Sequence, residues 1–72
     1  MNEKTLEFAI FCVESLSEKL NIDAEKIYRS LRFDSDILNN YIIGCYEPLH
    51  SQSKDYIVND LIEVMKMKGV LL

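Results

Sequence analysis

Cys45 and His50 are the residues whose types come nearest to a nucleophile and its base, and Asp60, ten positions further on, is the carboxylate that would orient the imidazole. A thiolate mechanism needs those three roles, because the imidazole must take the thiol proton and must itself be held in one tautomer. A separation of five residues fixes no geometry, however, and no Gly-rich loop accompanies the pair to bind an oxyanion. A core this small also offers little cleft from which to exclude water. Together with Cys12 the same side chains make three soft metal ligands, but they lack the second close pair that structural zinc sites use. The expectation is no catalysis, no metal and no cofactor, with Cys45 and His50 retained as the residues of a small-enzyme alternative.

The elements that would position these groups are all helical in period. In 2–20, Leu6, Ala9, Ile10, Val13, Leu16 and Leu20 recur at three and four residues, as a core stripe does. Phe8, Phe11 and Cys12 widen that stripe, so this helix is either central among its neighbours or half of it waits for another chain. Asn21 fits a left-handed stop, Asp23 an N-cap, and Ile22 a hydrophobic staple onto Ile27 for a second helix over 23–32. Ile27 and Leu31 face inward there, with Tyr28 on the border and Phe33 continuing the apolar contact. A third helix over 35–43, capped by Asp34 or Ser35, places Ile37, Leu38, Tyr41 and Ile42 on one side and Asn39 and Asn40 on the other. Gly44 is expected as its C′ glycine.

Residues 45–52 then form a corner loop in which the chain turns or starts a short new helical turn, because Pro48 lacks an amide hydrogen and disfavours helical geometry at Glu47. Ser51 or Ser53 caps a last helix over 52–68, whose apolar face is Tyr56, Ile57, Val58, Leu61, Ile62, Val64 and Met65. Lys66, Lys68 and Gly69 suit its end. Val70, Leu71 and Leu72 make an apolar tail expected to fold back on the core or add to an interface. The chain is therefore expected to be all-α, a single domain over 1–72 built from four helices.

Composition limits the partners. Seventy-two residues hold one small core, and 49% of them are hydrophobic, so extra buried area from a partner chain or from oligomerisation is expected. Eight Lys and Arg against twelve Asp and Glu leave a net charge of −4, the wrong sign for a domain that lives on phosphate contacts. A helix-turn-helix made of the second and third helices remains the DNA-binding alternative. Its reading helix would open with Asp34, Ser35 and Asp36, although Asn39 and Asn40 are suitable adenine readers. Lys19, Lys26, Arg29 and Arg32 form the one basic cluster, and Glu25 four residues before Arg29 marks it as a solvated face. No run of 18 uncharged apolar residues occurs and the charged start MNEKTLEF does not suit a signal peptide, so a cytoplasmic protein with reduced thiols and no membrane contact is expected.

The run Leu38-x-x-Tyr41-Ile42-Ile43-x-x-Tyr46-x-x-Leu49-His50-Ser51-Gln52-x-Lys54-x-Tyr56-Ile57-Val58-x-Asp60 resembles a family of short bacterial helical proteins of unknown function. The likeness also takes in the opening 7–14, EFAIFCVE, and the ending 67–70, MKGV. This resemblance implies a gene often found beside one for an ADP-ribosyltransferase-like protein, in the manner of toxin and antitoxin pairs. It carries no catalytic residue, so Tyr46, His50, Lys54, Tyr56 and Asp60 transfer only as a motif. With the tyrosines supplying rings that bury while their tips stay polar, those five are the expected interaction residues of a non-catalytic protein-binding module.

Overall fold

A computed structural model describes residues 2–70, whose regular elements are all helices, with no strand among them. Five helices follow in order: α1 Glu3–Leu20, α2 Ala24–Arg32, α3 Ile37–Ile43, α4 Tyr46–His50 and α5 Lys54–Met67. The expected all-α class holds, while the count of four does not. The extra element is α4, a single helical turn and a little more in the segment read as a corner. Pro48 is tolerated there because it is the third residue after the Cys45 N-cap, within the turn whose amides have no intrahelical acceptor. The first bond the helix needs is made by Leu49, whose N–H donates to the Cys45 carbonyl at 3.0 Å.

The helix ends follow local chemistry. Asn2 and Ser53 cap α1 and α5, accepting from the Thr5 and Tyr56 amides, and Asp23 caps α2 through the Glu25 amide at 3.1 Å. Asn21 takes φ 55° and ψ 45°, the left-handed stop its residue type suggests. At the end of α5, Gly69 has φ 70°, its N–H bonds the Lys66 carbonyl and that of Val70 bonds Met65, a Schellman closure. Val70 packs against the core, and the expectation for Leu71 and Leu72 lies outside the described residues.

α3 departs most from the expected form. It is a π-helix, marked by the Gly44 N–H reaching back five residues to the Asn39 carbonyl at 3.2 Å. Gly44 is consequently not a left-handed stop: it has φ −63° and ψ −31°, ordinary right-handed backbone. Its glycine is required by proximity, since a Cβ there would stand 2.6 Å from the Asn40 carbonyl oxygen. Asp34 caps nothing, and Asp36 occupies the N-cap position without a side-chain cap bond. Ser35 does part of that work, its hydroxyl donating to the Ser30 carbonyl and accepting from the Ile37 amide at 3.3 Å.

α1 runs through the middle and packs against each of the other four helices. The core it organises is Leu16 and Cys12 from α1, Ile27 and Leu31 from α2, Ile37, Leu38 and Ile42 from α3, Leu49 from α4 and Ile57 and Leu61 from α5, all buried. Burying these side chains rather than leaving them in water is the main favourable term, at about 1.5–3 kcal/mol for each large one before the entropy cost of ordering. Within α1 the buried side is Phe8, Ala9, Cys12, Val13 and Leu16, so of the residues that widened the expected stripe Phe8 and Cys12 belong to the core while Phe11 stays exposed. Leu6 and Ile10, assigned to the stripe from spacing, are about half exposed at 47% and 48%. Phe33 does not continue the apolar contact of α2 but projects outward at 69% exposure.

Candidate functional site

The corner residues come together only in part. Tyr46 is half-buried between two rings: Phe8 meets it edge-on at 5.5 Å, and His50 stacks on it at 4.3 Å with the planes only 4° apart. The stacking follows from helical spacing, since residues four apart on α4 lie one above the other. The same spacing puts His50 Nδ1 at 2.8 Å from the Tyr46 carbonyl oxygen. A carbonyl accepts only, so Nδ1 carries a hydrogen and donates it. His50 is thereby locked to its own helix, and Tyr46 is locked to α1.

Asp60 does not orient that imidazole. Its carboxylate accepts from the Tyr41 hydroxyl, which ties α5 to α3 and pushes the Tyr41 phenol up to about 12, chiefly through that hydrogen bond and secondarily through burial. Lys54 lies at 3.5 Å from Glu18 of α1, both exposed. Tyr56 points outward, 52% exposed. Of the five expected interaction residues, only Tyr46 and His50 touch, while Lys54 and Asp60 are engaged by other helices. Cys12 is fully buried, and burial pushes its thiol up to about 12, so it is an inert core residue. Among the described residues no group of three His, Cys, Asp or Glu side chains is placed to hold a metal ion.

The reading helix imagined for DNA offers little to a groove. α3 buries Ile37, Leu38 and Ile42, and of its two exposed asparagines Asn40 donates to Asp36 at 3.1 Å. Asp36 also accepts from Lys68 Nζ at 2.9 Å, and these two bonds, Lys68 first, hold its carboxyl below the usual carboxylate value.

A feature that spacing did not locate lies on the opposite side of α1. Leu6, Ile10 and Val13 of α1 face Ala24 and Tyr28 of α2 across an apolar groove of about 330 Å³, floored by Leu38. Its polar lining is Glu14 and Glu25. The groove exists because α1 and α2 pack together with their inner sides burying Val13, Leu16, Ile27 and Leu31. The next residues round each helix, Leu6, Ile10 and Tyr28, are left uncovered. A signal for it was present in the sequence: α1 carries more apolar residues than one face can bury. Periodicity counts such residues without saying which of them stay outside.

A second depression, lined by Ser15, Glu18, Lys19, Lys54 and Asp55, is polar and is crossed by the Lys54–Glu18 pair. Among the described residues no helix is long and apolar enough to cross a membrane. The family described as "Protein of unknown function (DUF3791)" matches residues 7–68. No curated protein and no solved structure matches the chain.

Proposed function

The chain belongs to the DUF3791 family, and from that premise we propose that it is a non-catalytic, cytoplasmic protein-binding module. The observation that supports this most directly is the α1–α2 groove. Three large apolar side chains, Leu6, Ile10 and Tyr28, stand exposed together on a domain of 72 residues that buries the rest of its core well. Clustered exposed apolar groups with a polar rim are characteristic of association surfaces, whereas scattered ones are ordinary. His50 bonds the Tyr46 carbonyl and Asp60 the Tyr41 hydroxyl, so these two side chains serve the packing of the helices.

The resemblance noted in the sequence narrows the proposal further: the partner is an ADP-ribosyltransferase-like protein encoded alongside, and this chain is its neutralising subunit. The acidic balance suits that role, since a negative surface steers association with a cationic nucleotide-binding cleft. Co-expression with the neighbouring gene product, followed by size-exclusion chromatography with light scattering, tests both levels. A stable mixed complex is expected. A chain that elutes unaccompanied, as monomer or homodimer, refutes the neutralising subunit, and steeply salt-dependent retardation of DNA would favour a DNA-binding regulator instead.

A further inference from the structure

We propose that the α1–α2 groove receives one amphipathic helix of a partner protein, with cationic residues along the edge that meets α1. This rests on the protein-binding reading above and assigns its surface and the chemistry of its occupant. A helix is favoured by the shape of the site. Two adjacent helices leave between their outer sides the trough into which the ridge of a third packs, and no strand edge exists among the described residues for an extended peptide to join. Leu6 and Ile10 are four residues apart on one side, and Ala24 and Tyr28 four apart on the other, so both walls present ridges of the same spacing.

Charge selects the occupant. Glu3, Glu7 and Glu14 fall on the same exposed flank of α1 as Leu6 and Ile10, at separations of four and seven residues. Among the described residues none of the three is paired with a Lys or Arg, whereas Glu18 holds Lys54 and Glu25 holds Arg29 at 3.2 Å. The α1 rim is therefore anionic. On the α2 side the lining carboxylate, Glu25, is paired with Arg29 at 3.2 Å, so that rim carries no unpaired acid. A complementary helix has Lys or Arg on one side of its apolar stripe and neutral or acidic residues on the other.

The same charges disfavour a second copy of this chain seated with the anionic flank of one α1 against that of the other, since like charges set side by side repel. The floor of the groove is rigid, being the Val13 and Leu38 side of the core, so an entering aliphatic or aromatic side chain meets a preformed surface.

The test uses two helical peptides of about 18 residues with identical Leu and Ile stripes, one bearing Lys along one edge and the other Glu at the same positions. Amide chemical-shift mapping on the intact chain follows both. The Lys peptide is expected to move the amides of Leu6, Ile10, Glu14, Ala24 and Tyr28, and the Glu peptide to bind at least about tenfold more weakly. Ile10→Asp should abolish binding. Glu14→Lys, at an exposed position, should weaken the Lys peptide and favour the Glu peptide with the helical circular dichroism unchanged.

Equal binding of the two peptides overturns the proposal, as does binding of neither, or shifts centred on Tyr46 and Tyr56. Concentration-dependent shifts of the groove amides in the protein alone would overturn it in favour of self-association. The proposed function fails separately. A mixed complex with the neighbouring gene product that tolerates Ile10→Asp leaves the module reading intact and removes only the groove, while absence of any complex removes the neutralising role whatever the peptides do.

Discussion

Replacing Tyr41 by Phe isolates a side-chain bond that joins α3 to α5 across the molecule. The Tyr41 hydroxyl donates to the Asp60 carboxylate, and the two residues are nineteen apart in sequence. A hydrogen bond to a charged acceptor contributes about 1.5–3 kcal/mol when well shielded. Tyr41 and Asp60 are only part-buried, so the expected loss lies at the lower end, about 1–1.5 kcal/mol.

The pH dependence gives an independent handle. The folded phenol is raised from 10.0 to about 12, first by the Asp60 hydrogen bond and then by burial. A group whose folded value is raised contributes stability that is fully present below its unfolded value and is lost as pH rises through the folded one. The bond's contribution should therefore be intact up to pH 10 and disappear between pH 10 and about 12. Solvent screening at this part-exposed site keeps the energetic effect of that rise near the hydrogen-bond figure.

Urea melts of wild type, Tyr41→Phe, Asp60→Asn and the double variant, at pH 7 and through the alkaline range, provide the assay. The two single variants should couple by about 1 kcal/mol at pH 7, and Tyr41→Phe should flatten the alkaline loss. A coupling indistinguishable from zero, or an alkaline limb unchanged in Tyr41→Phe, would refute the reasoning.

Gly44→Ala should destabilise by about 2 kcal/mol in thermal melts, as forced contacts of this kind do, because its new Cβ meets the Asn40 carbonyl at 2.6 Å and that atom is backbone. Gly69→Ala should cost about 1 kcal/mol for a different reason, the left-handed φ of 70° in otherwise open space. Iodoacetamide at pH 8 should modify Cys45 before Cys12, giving one adduct by mass spectrometry on the folded chain and two in denaturant, since the Cys12 thiol is fully buried and pushed up to about 12. Lys68→Ala should let the Asp36 carboxyl rise toward 3.8 in an NMR titration; because its lowered value stabilises the fold above the ordinary carboxylate range, the variant should lose less stability than wild type as pH falls through that range.

What could be read along the chain was what neighbours along the chain decide. Asn21 turns left-handed because its short polar side chain tolerates that backbone, Asp23 and Ser53 cap because their oxygens reach amides two or three residues on, and Gly69 closes α5 because nothing else does so at low cost. These local rules place α1, α2 and α5 within a residue or two of their expected limits. They misplace Gly44 and Pro48, where the same residue type satisfies two geometries: a glycine can be a left-handed stop or a point of close approach, and a proline can end a helix or sit in its first turn.

The candidate site divides along the same line. That α1 was too apolar for one face, and that a 72-residue chain with a net charge of −4 should seek a protein before a nucleic acid, follow from composition and period alone. Which of those apolar residues remain in water depends on where α2 and α3 lie against α1, and no interval in the sequence encodes an angle between helices. Phe8 and Cys12 went inward and Leu6 and Ile10 outward, Tyr46 was consumed by Phe8 and His50, and Asp60 was taken by Tyr41 rather than by the imidazole. Spacing alone determined α1, α2 and α5 and the surplus of apolar surface on α1. Only the packing of one helix on another, in which each side chain competes for a limited number of buried places, decided that the surplus would open as a groove between α1 and α2.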